Sequence, residues 1–159
     1  MTTPSAPTVA RTIWIDGDAA PRACKDVAFK AATRTRTPLV LVANRHHALP
    51  RLDTVTLLQV PGGPDQADDA IAERCGPRDL VVTDDLPLAA RALEKGAAVL
   101  RFRGEPITED NVREHLGMRD FLDSLRGSGV VTGGPPPYGN KETQRFAGAL
   151  DRWLARGRL

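Results

Sequence analysis

The sequence predicts an α/β domain in three layers: a mainly parallel sheet of about five strands, helices on both faces, and extra helices at the carboxyl end. Three observations predict it. Short apolar runs alternate with amphipathic stretches through roughly the first hundred residues. The runs are rich in Val, Ile and Leu and nearly continuous, as strands buried on both faces are. The chain has 159 residues, 41% of them hydrophobic, enough for one core and for one domain.

Each element has its own signal. "MTTPSAPTVA" (1–10) lacks a basic stretch followed by an apolar one, so it reads as a flexible tail rather than a signal peptide, and 11–159 as a single domain. "TIWID" (12–16) is the first strand. The stretch 21–36 is a helix, with Pro21 near its first turn and Ala23, Val27, Ala28 and Ala31 on one face. "PLVLVAN" (38–44) and "VTLLQV" (55–60) are strands joined by a loop. "PGGPD" breaks the chain before a short helix over 66–75, which Gly76-Pro77 ends. "DLVVT" (79–83) is the fourth strand, 87–95 a helix with Gly96 just past its end, and "AAVLRF" (97–102) the fifth strand. Two helices close the chain. One, over 108–126, carries Val112, Leu116, Phe121, Leu122 and Leu125; the other, over 141–156, carries Phe146, Leu150, Trp153 and Leu154. Both are expected to pack on the same sheet, linked by the Gly/Pro-rich loop 127–139.

Composition narrows the function classes. No apolar run reaches the roughly 18 residues of a membrane span, so no membrane partner is expected and the default compartment is cytoplasmic. Cys24 and Cys75 form no C-x-x-C pair and read as buried free thiols. The net charge is +2, and the cations are nearly all arginine, with lysines only at 25, 30, 95 and 141. Arginine suits phosphate, but such a balance does not by itself mark a nucleic-acid surface. The oligomeric state is not legible.

The chemistry lies in the acids. Parallel sheets bind ligands beyond the carboxyl ends of their strands. Asp16 and Asp18 follow the first strand, Asp65, Asp68 and Asp69 follow the third, and Asp84 and Asp85 follow the fourth, directly after Thr83. If the first and fourth strands are neighbours, about 4.8 Å apart, their terminal carboxylates share one crevice and repel. A hard divalent cation, Mg²⁺ or Mn²⁺, would relieve that repulsion and could activate water against a phosphoryl group. The competing reading is helix capping, worth about 0.3–1 kcal/mol per acid; Asp65 fits it best, and Asp84 or Asp85 suits the helix beginning near Pro87. Three clusters at strand ends favour the metal.

Several other chemistries lack a part. A phosphatase built on Asp16 and Asp18 needs a lysine before the later acids, and none stands between 30 and 95. A receiver domain needs a lysine after the fifth strand, and none follows until 141. His46 and His47 point opposite ways in an extended loop and read as exposed rather than zinc-binding, and His115 reads as a surface residue. No G-x-S-x-G element or Walker lysine is present. Arg101, Arg103, Arg119 and Lys141 are candidates for a phosphate-facing rim, and Tyr138 for stacking on a base.

"WIDGDAAP", "GGPDQADDAI", "LVVTDDLPLAARALEKGAAVLRFRGE", "MRDFLDSLRGSGVVTGG" and "RFAGALDRWL" resemble, in order and spacing, the YaiI/YqxD family of bacterial proteins. Ala20 stands where that family has a Cys, which argues against a role for a thiol there. The family is uncharacterised and is in turn similar to PIN-like nuclease domains, including the NYN group. That resemblance implies a PIN-like fold in which Asp16, Asp68 or Asp69, and Asp85 hold Mg²⁺ or Mn²⁺, Thr83 orients a carboxylate or water, and RNA is cleaved. Asp18, Asp69 and Asp84 are their neighbours, candidates for the same metal site in a supporting role. A metal-dependent ribonuclease is therefore the leading expectation, a non-catalytic RNA- or protein-binding domain of the same fold the second, and a small-molecule phosphohydrolase the third.

Overall fold

Side-chain alternation along the central strands sets the layers. Ile13 and Ile15, Leu39 and Leu41, Leu80 and Val82, and Leu100 point to one face of the sheet; Trp14, Val40, Val42, Val81 and Val99 point to the other. Both faces are apolar, so both must be covered. A computed structural model describes residues 11–130, 133–134 and 136–159. The tail expected over 1–10 and part of the expected 127–139 loop lie outside the described residues.

The described chain runs β1 (Ile13–Asp16), α1 (Arg22–Thr35), β2 (Leu39–Ala43), β3 (Val55–Gln59), α2 (Gln66–Arg74), β4 (Leu80–Val82), α3 (Leu86–Glu94), β5 (Ala98–Leu100), β6 (Pro106–Ile107), α4 (Val112–Gly127) and α5 (Asn140–Arg156). The sheet order is β3-β2-β1-β4-β5-β6. The first five strands are parallel; β6 returns antiparallel to β5. This is the expected three-layer, mostly parallel α/β architecture with one strand more. The extra strand has two residues, too few for any periodicity. It is created by a reversal at Gly104, whose φ is 88° and whose missing Cβ would fall 2.5 Å from the Arg145 carbonyl carbon.

Helices α1 and α5 cover one face. The α5 stripe Phe146, Leu150, Trp153 and Leu154 is buried there beside Cys24, Ala28, Phe29 and Ala32 of α1. Arg11, just before β1, donates to the Leu154 carbonyl at 2.7 Å and lies 4.8 Å over the Trp153 ring, holding down the carboxyl end of α5. Helices α2 and α3 cover the other face through Ala70, Ile71, Leu88, Ala89 and Ala92. Cys24 and Cys75 are buried and free, as expected.

Helix α4 departs from expectation. It packs against α3, and only Val112 and Leu116 reach the second core; none of its residues is buried, and Met118 and Phe121 are more than half exposed. The crossover from β2 to β3, residues 44–54, contains no helix, and its Leu49 and Leu52 lie against the α1 side.

One polar group is built into the amino end of the sheet. The buried Asp79 carboxylate accepts from Thr12 N–H at 2.9 Å, the Trp14 indole at 3.0 Å and Gly76 N–H at 3.0 Å. It ties β1 to β4 where their register begins, Ile13 opposite Leu80. Asp79→Ala leaves three donors without their acceptor and should lower stability by about 2–4 kcal/mol, read by urea denaturation.

Candidate functional site

Chain direction through the sheet reverses between β1 and β4: β1, β2 and β3 step one way, β4, β5 and β6 the other. Such a switch point leaves a crevice beyond the carboxyl ends of the two strands. Asp16 is the last residue of β1. Extending the β1–β4 register by one residue sets it beside Thr83, whose buried hydroxyl lies 3.5 Å from Asp16 Oδ2. Thr83 Oγ1 also accepts from Asp85 N–H at 3.0 Å, so one hydroxyl joins both strand ends. Asp68 enters from the first turn of α2, which leans on β1 and β2.

The acids divide into two sets. Asp16 is pushed up to about 6, chiefly by burial and then by the charges of Asp85 and Asp18. Asp68 is likewise pushed up to about 6 by burial and by the charges of Asp85 and Asp16. Neither has a cation within ion-pair distance among the described residues, although Arg91, paired with Asp69, is near enough for its charge to act on Asp68. The outer acids do. Burial works against the Asp18 carboxylate, yet Asn44 N–H at 2.7 Å, His47 at 3.2 Å and Arg45 at 3.6 Å hold it below the usual carboxylate range. Asp69 pairs with Arg91 at 2.6 Å. Asp84 accepts from Phe102 N–H at 3.0 Å and faces Arg101 at 3.4 Å. Asp85 stands between the sets: its Oδ1 caps α3 through Leu88 N–H at 2.8 Å, while its charge acts on both Asp16 and Asp68. Asp65, the best cap candidate in the sequence, occupies the cap position of α2 but makes no side-chain cap bond.

The proposed rim residues are scattered by comparison. Arg101 reaches the site through Asp84. Arg103 is engaged by Glu142, the Pro136 carbonyl and the Tyr138 ring, and the Tyr138 hydroxyl donates to the Phe102 carbonyl, so that ring is already in use. Arg119 lies on α4 beside Asp123, and Lys141 is exposed at the start of α5. His46 is exposed, but His47 turns inward to Asp18, and His115 is half-buried against Glu105 at 2.7 Å; neither contact follows from the sequence pattern.

Gly17, between two of the aspartates, is the most tightly constrained position at the end of β1. Its N–H donates to the Val42 carbonyl at 2.8 Å, and a Cβ there would lie 2.7 Å from Leu41 Cγ. The spacer between the two aspartates must be small for the strand end to lie flat on β2. The D-G-D spelling is the available signal.

Chemically, the crevice offers two half-buried carboxyls able to keep a proton at weakly acid pH or to receive a hard cation. Its donors are all oxygen, which suits Mg²⁺ or Mn²⁺, ions that keep several waters and need few protein ligands. Among the described residues, no three carboxylate, imidazole or thiol groups converge into a preformed metal cage.

Comparison with known proteins agrees with the motifs. The profile described as "Uncharacterized BCR, YaiI/YqxD family" matches residues 14–156. A "UPF0178 protein" of Xanthomonas campestris is 56% identical over 156 residues, covering 98% of this chain and 97% of its own. Proteins of the same description from Hydrogenovibrio crunogenus and Cronobacter sakazakii are 51% and 49% identical, covering 91% and 90% of this chain and 95% of each of theirs. No solved structure matches the chain.

Two outcomes follow from the geometry. Carboxyls at about 6 in the folded chain, against roughly 4 unfolded, hold protons that the unfolded chain has already lost. Their contribution to stability therefore falls as pH rises from about 4 to about 6 and stays low above that. Asp16→Asn should raise stability at pH 7.5 by about 1–2 kcal/mol after solvent screening, with little gain at pH 4, read from Tm at the two pH values. Gly17→Ala should cost about 1–3 kcal/mol by forcing Leu41 aside, measured in the same scan.

Proposed function

The chain belongs to the YaiI/YqxD family, and from that premise we propose that its acidic crevice holds Mg²⁺ or Mn²⁺ and hydrolyses a phosphodiester, with RNA as substrate. One observation carries the reading. Asp16 and Asp68 are raised to about 6 with no ion-pair partner of their own among the described residues, while the acids around them are engaged by arginines or a histidine. A fold keeps such repulsion where a ligand will relieve it.

On this reading Asp16, Asp68 and Asp85 hold the ion, in the places that PIN-like nucleases give their metal-binding acids. A bound ion supplies charge neutralisation at the phosphate and an acidified water. The chain's own groups do the rest. Thr83 fixes the Asp16 carboxylate and, through Asp85 N–H, its position against the end of β4. The cap bond to Leu88 N–H orients Asp85 and leaves its second oxygen for the ion. Asp18, Asp69 and Asp84 hold Arg45, Arg91 and Arg101 around the crevice, with the His47 imidazole beside Asp18, where these groups can meet phosphate oxygens as the substrate arrives. Arg103, Arg119 and Lys141 have weaker claims, since none is joined to an acid of the crevice.

Binding without cleavage is the second reading. A small-molecule phosphohydrolase stands third, for want of a lysine between 30 and 95. Calorimetry with Mn²⁺ and cleavage of labelled single-stranded and structured RNA, in wild type and Asp16→Asn, separates them. Mn²⁺ should bind the wild type, more tightly as pH rises through 6, and Asp16→Asn should lose about 100-fold in cleavage together with Mn²⁺ affinity. Absence of Mn²⁺ binding with both proteins equally inert sinks the hydrolase. RNA affinity that survives Asp16→Asn without cleavage selects the binding protein, and phosphate release from monoesters selects the phosphohydrolase.

A further inference from the structure

The helix-free crossover leaves a space on the α1 face of the sheet. Parallel neighbours are usually joined through a helix packed on the sheet. Between β2 and β3 the chain supplies only residues 44–54, and a groove of about 790 Å³ lies between that segment and α1. The volume is that of a small-molecule site.

Its lining has two chemistries. Phe29, Leu41, Leu49 and Leu52 form an apolar floor. Arg22, Lys25 and Lys30 stand on the lining face of α1, and among the described residues none of the three has a carboxylate within ion-pair distance. Arg34 also lines the groove but is held by Asp151 at 2.9 Å, and Asp26 is the one acid in the lining. A purely apolar ligand would make no use of the three cations, and a simple anion would leave the floor wet. The lining fits a ligand with an anionic group and a flat apolar body.

The groove adjoins the acidic crevice. His47 lines it while its Nε2 meets Asp18 Oδ1 at 3.2 Å, and Lys25 Nζ reaches the Gly17 carbonyl at 3.4 Å. Gly17 and Asp18 directly follow Asp16. We propose that the groove receives one nucleotide unit of a single-stranded nucleic acid, its base on the apolar floor and its phosphate at Arg22, Lys25 and Lys30, as the strand leaves the acidic crevice. The choice of a nucleotide over another aromatic anion rests on the phosphodiester reading of that crevice.

The test is amide chemical-shift mapping of the full ¹⁵N-labelled chain with a uridine hexamer, with uridine monophosphate and with oleate, all in EDTA. Shifts with both uridine ligands should concentrate on 22–34 and 47–52, the hexamer binding more tightly. Lys25→Glu/Lys30→Glu should weaken the hexamer about tenfold or more. Leu49→Asp, which spoils the floor and leaves the cations, should weaken it as well, with Tm and Mn²⁺ affinity kept in both variants. Hexamer shifts lying elsewhere, none at millimolar ligand, unchanged affinity in both variants, or saturation by oleate alone would overturn the proposal. The two readings fail separately. A hexamer mapped to the groove of a protein that binds no Mn²⁺ ends the cleavage reading and keeps this one. Mn²⁺-dependent cleavage with the hexamer mapped away from the groove does the reverse.

Discussion

The Asp79 carboxylate governs how the two halves of this chain meet. It lies at the amino end of β4 and takes its hydrogen bonds from β1 and from the turn before β4. In a parallel pair, fixing one end fixes the other, because the ladder repeats at constant rise. A slip of one residue would carry Asp16 past Thr83 and turn every side chain of β1 to the wrong face. The polar anchor at the bottom of the sheet thus sets the acid geometry at the top. It is a buried carboxylate with three N–H donors, an arrangement in which burial is matched by hydrogen bonds.

The sorting of the acids shows how local charge is divided between structure and chemistry. Asp18, Asp69 and Asp84 are satisfied by groups arriving from β2, α3 and β5 or from the loops beside them. Asp16 and Asp68 are left to repel each other and Asp85. That repulsion lowers the stability of the folded chain at neutral pH, and it is tolerated because the cores on both faces of the sheet carry the fold. The outer arginines reduce the total negative charge without forming an ion pair with either inner acid.

Much of this was legible in the sequence. Strands and helices show their periods, and a D-x-D after one strand with T-D-D after another places these acids at one crevice once the two strands are known to be neighbours. What was not legible depends on three-dimensional arrival. Arg45, Arg91 and His47 carry no sequence signal linking them to Asp18 or Asp69. The β6 strand is too short to show a period. Helix α4 carries apolar residues at helical spacing, but spacing says which side is apolar, not whether a partner lies against it. Past Leu116 the side chains Met118 and Phe121 extend beyond the second core. The groove is equally invisible, because it is formed by a helix that is not there.

That missing helix makes the crossover an adjustable part. A packed helix would fix the distance between α1 and the edge of the sheet, whereas a loop can lengthen at small entropic cost, about 0.6 kcal/mol for each doubling. Insertions or deletions in 44–54 would deepen or shorten the groove while β1, β4 and their acids stay in register. The shape of the groove could then diverge between relatives by loop length alone, beside an acidic crevice that does not change.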